Sequence, residues 1–253
     1  MDKEAGPSSF QVVRRVRNRF GLKAGHAGTL DPFATGLLVC LVGRSTRLAR
    51  YLVGLEKRYL TTIHLGVRTD TGDLEGTELE TTPFPTLADI EALRGEVELP
   101  IPAASAVKID GERAYSLHRR GVAVEMPVRR STIRALEIVR FEPPTLDLDL
   151  SVSTGTYIRS IADALGGHCT ALRRTEVGPF RIEDADEERV LTPLAAVPHL
   201  PRIDLDEDGA RAVASGRPVA ADAEGPVALV ADGNLLAVGI ADGKIARPET
   251  VLV

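Results

Sequence analysis

Gly25-His-Ala-Gly-Thr-Leu-Asp31-Pro32-Phe-Ala-Thr-Gly36-Leu-Leu-Val-Cys-Leu-Val-Gly43 joins a polar, glycine-rich loop to a short apolar run. The run from Gly36 to Gly43 is bounded by glycine at both ends and is expected as a central strand. Gly25 and Gly28 let the loop backbone approach a ligand, and a strand behind the loop would hold the Asp31 carboxylate rigid while Pro32 fixes the following dihedral. Asp-Pro is also a common way to open a turn. The residues alone leave a catalytic carboxylate and a plain turn both open, the turn being the more frequent use.

On the N-terminal side, Ser8-x-x-Gln11 has capping-box spacing after Pro7. Phe10, Val13, Val16 and Phe20 recur at helical intervals up to Gly21, which predicts a helix over 7–21. On the other side, Ser45 to Val53 is expected as a short helix capped by Ser45 and ended by Gly54. Lys57 to Leu65 then reads as a strand with Tyr59, Thr61, Ile63 and Leu65 on one face, running to a turn at Thr69–Asp73. Thr86 to Leu93 is expected as a helix opened by Thr86-x-x-Asp89 and stopped by Gly95. Ser105–Gly111 reads as strand and turn, Arg113–Arg120 as a short basic helix. Leu146, Leu148, Leu150 and Val152 alternate with polar residues, which predicts a half-buried strand. That strand leads through Gly155-Thr-Tyr-Ile-Arg159 into a helix with Ile158, Ile161, Ala162 and Leu165 on one side. From Arg181 to Pro201 acidic residues and prolines dominate, the composition of a linker, so a boundary is expected near residue 200. A short helix around Glu207–Ala214 and several small strands follow.

The chain has 253 residues, 43% hydrophobic and 26% charged, which is ordinary globular composition. Its longest apolar stretch, Leu37–Val42, is far shorter than the roughly 18 residues needed to span a bilayer, so no membrane segment is expected. The start Met1-Asp2-Lys3-Glu4 lacks the basic and apolar regions of a secretory signal, and Cys40 and Cys169 are too few for a disulfide scaffold. A cytoplasmic location is expected. The net charge of -5 is unevenly spread: +7 over residues 1–60, -4 over 61–181 and -8 over 182–253. A basic first third can attract a polyanion while the acidic end keeps the molecule soluble.

The common phosphate-loop, zinc-protease and serine-hydrolase templates are missing, and the five histidines never fall at a metal-ligand spacing. No metal and no cofactor are expected. A carboxylate nucleophile must stay ionised, which a nearby guanidinium favours; Arg159, at the mouth of a helix, could supply it, although an exposed arginine is the commoner reading of such a position. Tyr59 and Tyr157 could stack on an unstacked base, although most such tyrosines only pack.

Taken together the segments resemble the bacterial tRNA pseudouridine-55 synthase (TruB) family. The matching blocks are 2–10, Gly25-His-Ala-Gly-Thr-Leu-Asp-Pro-Phe-Ala-Thr-Gly36, Lys57-Arg-Tyr59, Leu65–Asp73, Ser105-Ala-Val-Lys108, Gly111–Gly121, Gly155-Thr-Tyr-Ile-Arg159 and Leu172–Phe180, in family order over about residues 1–180. The resemblance implies an α/β (α+β) pseudouridine synthase fold with a long mixed central sheet and flanking helices. It implies a catalytic domain over 1–198 with an RNA-gripping helical insertion at about 83–104, and a small PUA-like β-rich domain over 199–253. The expected activity is isomerisation of the tRNA T-loop uridine to pseudouridine, with Asp31 as nucleophile on a flipped-out base. The carboxylate attacks either the base or C1′ of the sugar.

The same resemblance assigns catalytic roles to Arg159, the ion-pair partner of the nucleophile, and to Tyr59, which stacks on the base. His26, Asp73, Tyr157, Leu172 and Lys108 are expected at the substrate, with Lys23, Arg119 and Arg120 as further phosphate contacts. The expected partner is the T-stem-loop of tRNA, and a monomer is expected. Family members usually lead into Asp-Lys-Pro by a strand. Here the chain starts at Met1-Asp2 with Glu4 in place of proline, so either the start lies elsewhere or that first strand is absent. Two alternatives stand beside this reading: a guide-RNA-dependent pseudouridine synthase subunit, and a non-catalytic tRNA-binding or folding chaperone.

Overall fold

The computed structural model describes residues 1–252, which fall into two compact units: Met1–Pro32 with Leu37–Gly54 and the chain from Val177 onward, and Phe33–Gly36 with Leu55–Glu176. Among the described residues no helix is long and apolar enough to cross a membrane.

The second unit is organised by a mixed sheet. Gly167–Val177 pairs in parallel with the chain at Thr35 and Gly36 and lies beside Lys57–Leu65, after which Thr145–Val152, Val128–Glu142 and Gly95–Pro100 follow in antiparallel order. The period-two reading of Lys57–Leu65 holds residue by residue, with Tyr59, Thr61, Ile63 and Leu65 buried and facing Leu150, Leu148 and Leu146 on the neighbouring strand's inner face. The helix Ile158–Ala164 buries Ile158, Ile161 and Ala162, as its pattern predicts. Lys108–Ile109 and Glu112–Arg113 form a small hairpin whose two connecting residues, Asp110 and Gly111, both have positive φ, the backbone of a type I′ turn.

Two expectations fail here, one of them at the boundary of the two units. Residues 83–104 are not a helical insertion: the Thr86/Asp89 capping box forms, but the helix is only Leu87–Glu91. Gly95, with φ +91, then turns the chain into Gly95–Pro100, which pairs with Val128–Ile133. A five-residue helix has little cooperativity of its own, and the ladder available next to Val128–Ile133 wins. The apolar run Gly36–Gly43 is likewise not one strand. Thr35–Leu37 and Cys40–Val42 are separate, and the second pairs with Ala24–His26. Gly36 has φ +102, and a Cβ there would lie 2.2 Å from the Arg174 carbonyl oxygen, so only glycine permits this close approach.

In the first unit, helix α1 (Ser9–Phe20) carries the expected capping box between Ser8 and Gln11 and ends on Gly21 in the left-handed conformation. Its buried side is Ser9, Val12, Val13 and Val16; Phe10, expected on the apolar face, points outward and is 69% exposed. A two-residue strand at Asp2–Lys3 is present. The stretch expected as one helix from Ser45 is a tighter 3-10 turn over Gly43–Leu48, without a Ser45 cap, followed by the α-helix Ala49–Val53.

Residues 202–251 build a five-stranded sheet in the order Arg202–Asp204, Glu224–Ala231, Asn234–Asp242, Ile245–Val251, Val219–Ala220, with the helix Glu207–Ala214 at the predicted place. Successive residues of Glu224–Ala231 feed opposite faces. Val227 and Leu229 join Val213 and Ala237, whereas Ala228 and Val230 join Leu48, Val197 and Leu252. Val197 belongs to that second cluster, so the proline-punctuated stretch before residue 201 contributes to a core and is not a bare linker.

Candidate active site

Asp31 belongs to the first unit and is half-exposed, and the residues on either side of it are tied down by backbone atoms. Ser9 Oγ, on the buried face of α1, accepts from Leu30 N at 2.8 Å and donates to Leu30 O at 2.9 Å. Past Asp31, Pro32 O accepts from Gly6 N at 2.8 Å and from Lys3 Nζ at 3.0 Å, and the same ammonium donates to Glu4 O. Lys3 is 2% exposed and Ser9 also 2%. The carboxylate is therefore presented by a loop clamped on both flanks, while its own side chain remains reachable. His26, also in this unit, is half-buried on the strand Ala24–His26.

Arg159 and Asp73 lie together in the second unit. Arg159 is 2% exposed; its guanidinium donates to Thr71 O at 2.6 Å and Ala104 O at 3.0 Å and stands 3.6 Å from Asp73 Oδ2. Asp73 is itself buried, and its Oδ1 accepts from Thr71 Oγ1 at 2.6 Å and Glu75 N at 3.1 Å. Burying a guanidinium is costly unless its donors are met, and here two carbonyls accept from it and a carboxylate stands beside it. The turn itself comes close: a Cβ on Gly72, where φ is +73, would sit 3.2 Å from Arg159 Cβ. Cys169 N donates to Gly72 O, tying this turn to the strand Gly167–Val177.

Other expected residues of the second unit are placed as follows. Tyr59 is buried on the inner face of Lys57–Leu65, Leu172 is buried on Gly167–Val177, and half-buried Tyr157 caps the helix that carries Arg159. Lys108, Arg119 and Arg120 are exposed around the small hairpin and the helix Ala114–Arg119, where Arg120 pairs with Glu112. Lys23, in the first unit, is exposed.

Sequence reasoning passed over several residues that support the site. Ser9 and Lys3 clamp the Asp31 loop, and the signal for Ser9 was only its place inside the capping box. Lys57, quoted for its neighbour Tyr59, is buried, with its ammonium donating to Leu55 O at 2.5 Å and Thr154 Oγ1 at 3.4 Å. Burial, followed by the nearby Arg174 guanidinium, brings its pKa down to about 8. Thr154 opens the turn that presents Tyr157 and Arg159, so Lys57 links the strand of Tyr59 to that turn. Cys40 is no rival nucleophile, since burial pushes its thiol up to about 11. Among the described residues no group of three or more His, Cys, Asp or Glu is placed to hold a metal ion.

Comparison with solved structures gives the fold class first. The chain of a Cbf5-Nop10-Gar1 complex superposes with a TM-score of 0.75 at 25% identity, covering 100% of this chain and 83% of that one. An H/ACA RNP bound to a substrate RNA containing 2′-deoxyuridine gives 0.73 at 22% identity, which speaks for the fold alone. This is an α/β fold on a mixed sheet with an additional β-rich C-terminal region.

The family follows from the sequence. The model of the TruB family pseudouridylate synthase N-terminal domain matches residues 14–158. A tRNA pseudouridine synthase B of Aromatoleum aromaticum is 40% identical over 273 residues, covering 96% of this chain and 88% of its own. A protein of the same name from a Mycobacterium species is 41% identical, covering 100% and 94%. The chain belongs to the TruB family of pseudouridylate synthases, and is thus an isomerase.

Proposed function

We propose that this chain is a stand-alone tRNA pseudouridine synthase that converts the T-loop uridine at position 55 to pseudouridine, acting as a cytoplasmic monomer on the T-stem-loop. What carries the reading is the kinship of about 40% over nearly the whole chain with proteins named tRNA pseudouridine synthase B, joined to a clamped, accessible Asp31. The reaction is an isomerisation: the C1′–N1 bond breaks, the uracil rotates, a C1′–C5 bond forms, and the hydrogen displaced from C5 is balanced by one gained at N1. No atom or electron is exchanged with a cofactor, so none is required.

In this reading Asp31 is the nucleophile, attacking either the base or C1′, and forms the covalent intermediate that allows the base to turn. The uridine must leave its stack to be reached, and Tyr59 offers the ring that takes the stacking partner's place. Arg159 takes the role of ion-pair partner of the nucleophile, and Asp73 fixes Arg159. His26, Tyr157 and Leu172 line the substrate pocket. Lys108, with Lys23, Arg119 and Arg120, meets phosphates, a role suited to their exposure. The catalytic domain runs to residue 198, and residues 199–253 form the small C-terminal domain.

The guide-dependent reading has one observation in its favour, the likeness to a chain from a Cbf5-Nop10-Gar1 complex. One assay decides between them: purified protein with unmodified tRNA transcript alone, scoring pseudouridine in the T-loop for wild type and Asp31→Asn. Modification by wild type, with binding but no modification by the variant, supports the proposal. Binding without modification by wild type points to a partner-dependent enzyme or a chaperone.

A further inference from the structure

Helix α1, Ser-Phe-Gln-Val-Val-Arg-Arg-Val-Arg-Asn-Arg-Phe, carries four arginines and no acidic residue. They are not equivalent. Arg15 is neutralised by Glu4 at 2.9 Å and Arg19 by Glu188 at 2.8 Å. Arg14 and Arg17 are exposed, and among the described residues neither has a carboxylate partner. With 3.6 residues per turn, Phe10, Arg14 and Arg17 fall on one flank at i, i+4 and i+7, and the neutralised pair falls on the other. Phe10, at the end of that open flank, is 69% exposed. Gln11 and Asn18, neutral and exposed, run alongside.

The first turn of this helix is also the anchor of the Asp31 loop, through the two hydrogen bonds of Ser9 to Leu30. Whatever grips the open flank is thereby held in register with Asp31 inside one compact unit. We propose that the flank formed by Phe10, Arg14 and Arg17 is an RNA-docking surface that binds the phosphate backbone of the substrate RNA. This rests on the RNA substrate of the proposed function. Two unneutralised guanidiniums about one helical turn apart match successive phosphates, to which each can donate two hydrogen bonds. The exposed ring supplies a stacking face for a base or sugar. The +7 charge of residues 1–60, in a chain that is otherwise acidic, draws the same partner. A protein partner would call for a contiguous apolar patch, and this flank offers a single ring.

The test measures binding of an unmodified tRNA transcript across a salt series for wild type, Arg14→Glu/Arg17→Glu, and a control of equal charge change, Arg202→Glu/Arg217→Glu. The expected result for the helix variant is a Kd raised roughly tenfold or more and a salt slope reduced by about 1.4 to 2, with little change in the control. At saturating tRNA its turnover stays near that of wild type, so the loss falls on KM. Wild-type Kd and slope in the helix variant, or an equal loss in the control, overturns the inference. Should the reversal impair folding by circular dichroism, Arg14→Gln/Arg17→Gln reads the same slope. If wild type binds but does not modify the transcript, the proposed function fails, while the slopes still decide the docking surface.

Discussion

Asp31 and Arg159 are held in opposite ways. Asp31 sits half-exposed on a loop whose neighbours are fixed through main-chain atoms: Leu30 by the Ser9 hydroxyl, Pro32 by Gly6 and the buried Lys3 ammonium. Arg159 is buried to 2% exposure and is fixed through its own side chain, by Thr71 O, Ala104 O and Asp73. The proposed nucleophile must be reachable, so its position is set from behind. Its proposed ion-pair partner is buried, so its position is set through its own guanidinium, on two carbonyls and beside one carboxylate. The first should then be replaceable without harm to the fold, and the second should not.

Asp31→Asn tests the first half most severely. It is expected to lower turnover by on the order of a thousandfold or more while leaving the melting temperature and tRNA affinity near wild type, since the side chain is half-exposed and its size is unchanged. A large fall in melting temperature would break the contrast. Arg159→Met is expected to lose activity and also about 3–5 kcal/mol of stability in urea titrations, because Asp73 and two carbonyls are left without their donor. Arg159→Lys would keep the positive charge but lose the fork. Gly36→Ala is expected to cost about 3 kcal/mol, from a positive φ and from a Cβ driven against Arg174 O, with no bearing on charge. Ser9→Ala sharpens the idea of positioning through the main chain. It leaves Leu30 N without its partner, costing about 1–3 kcal/mol, and lowers turnover although Ser9 touches no substrate.

The smallest effect concerns pH. Lys57 titrates near 8 in the folded protein and near 10.5 when unfolded. Between those values the unfolded chain binds more protons, so stability rises with pH across that window, by at most about 1.4 kcal/mol per pH unit. Below pH 8 the penalty of holding the buried ammonium charged is fully present. Lys57→Met should lack the rise between pH 8 and 10.5 in melts compared with wild type; an identical profile in both would show that Lys57 titrates normally.

Much of the fold was legible wherever a pattern is local. The capping boxes at Ser8/Gln11 and Thr86/Asp89, the alternation of Lys57–Leu65 and Thr145–Val152, and the helix Glu207–Ala214 all depend on residues within a few positions of each other. The apolar run Gly36–Gly43 was misread because hydrophobicity does not say where a strand breaks; the close passage of Gly36 against Arg174 does. Residues 83–104 were misread for a similar reason, since Gly95–Pro100 becomes a strand only through a partner more than 25 residues away. Phe10 satisfies the helical period, yet which side of α1 is covered depends on what packs there.

The family is legible in spaced blocks such as Gly25–Gly36 and Gly155–Arg159, and so is the order of the local elements, because a motif and a cap are short-range facts. Folding alone buries Arg159 beside Asp73 and two carbonyls, sets Ser9 and Lys3 around the Asp31 loop, buries Lys57 against Thr154, and leaves two of the four arginines of α1 without a carboxylate partner among the described residues. Each of these joins residues far apart in the chain, and burial and charge neutralisation exist only once the chain has brought them together.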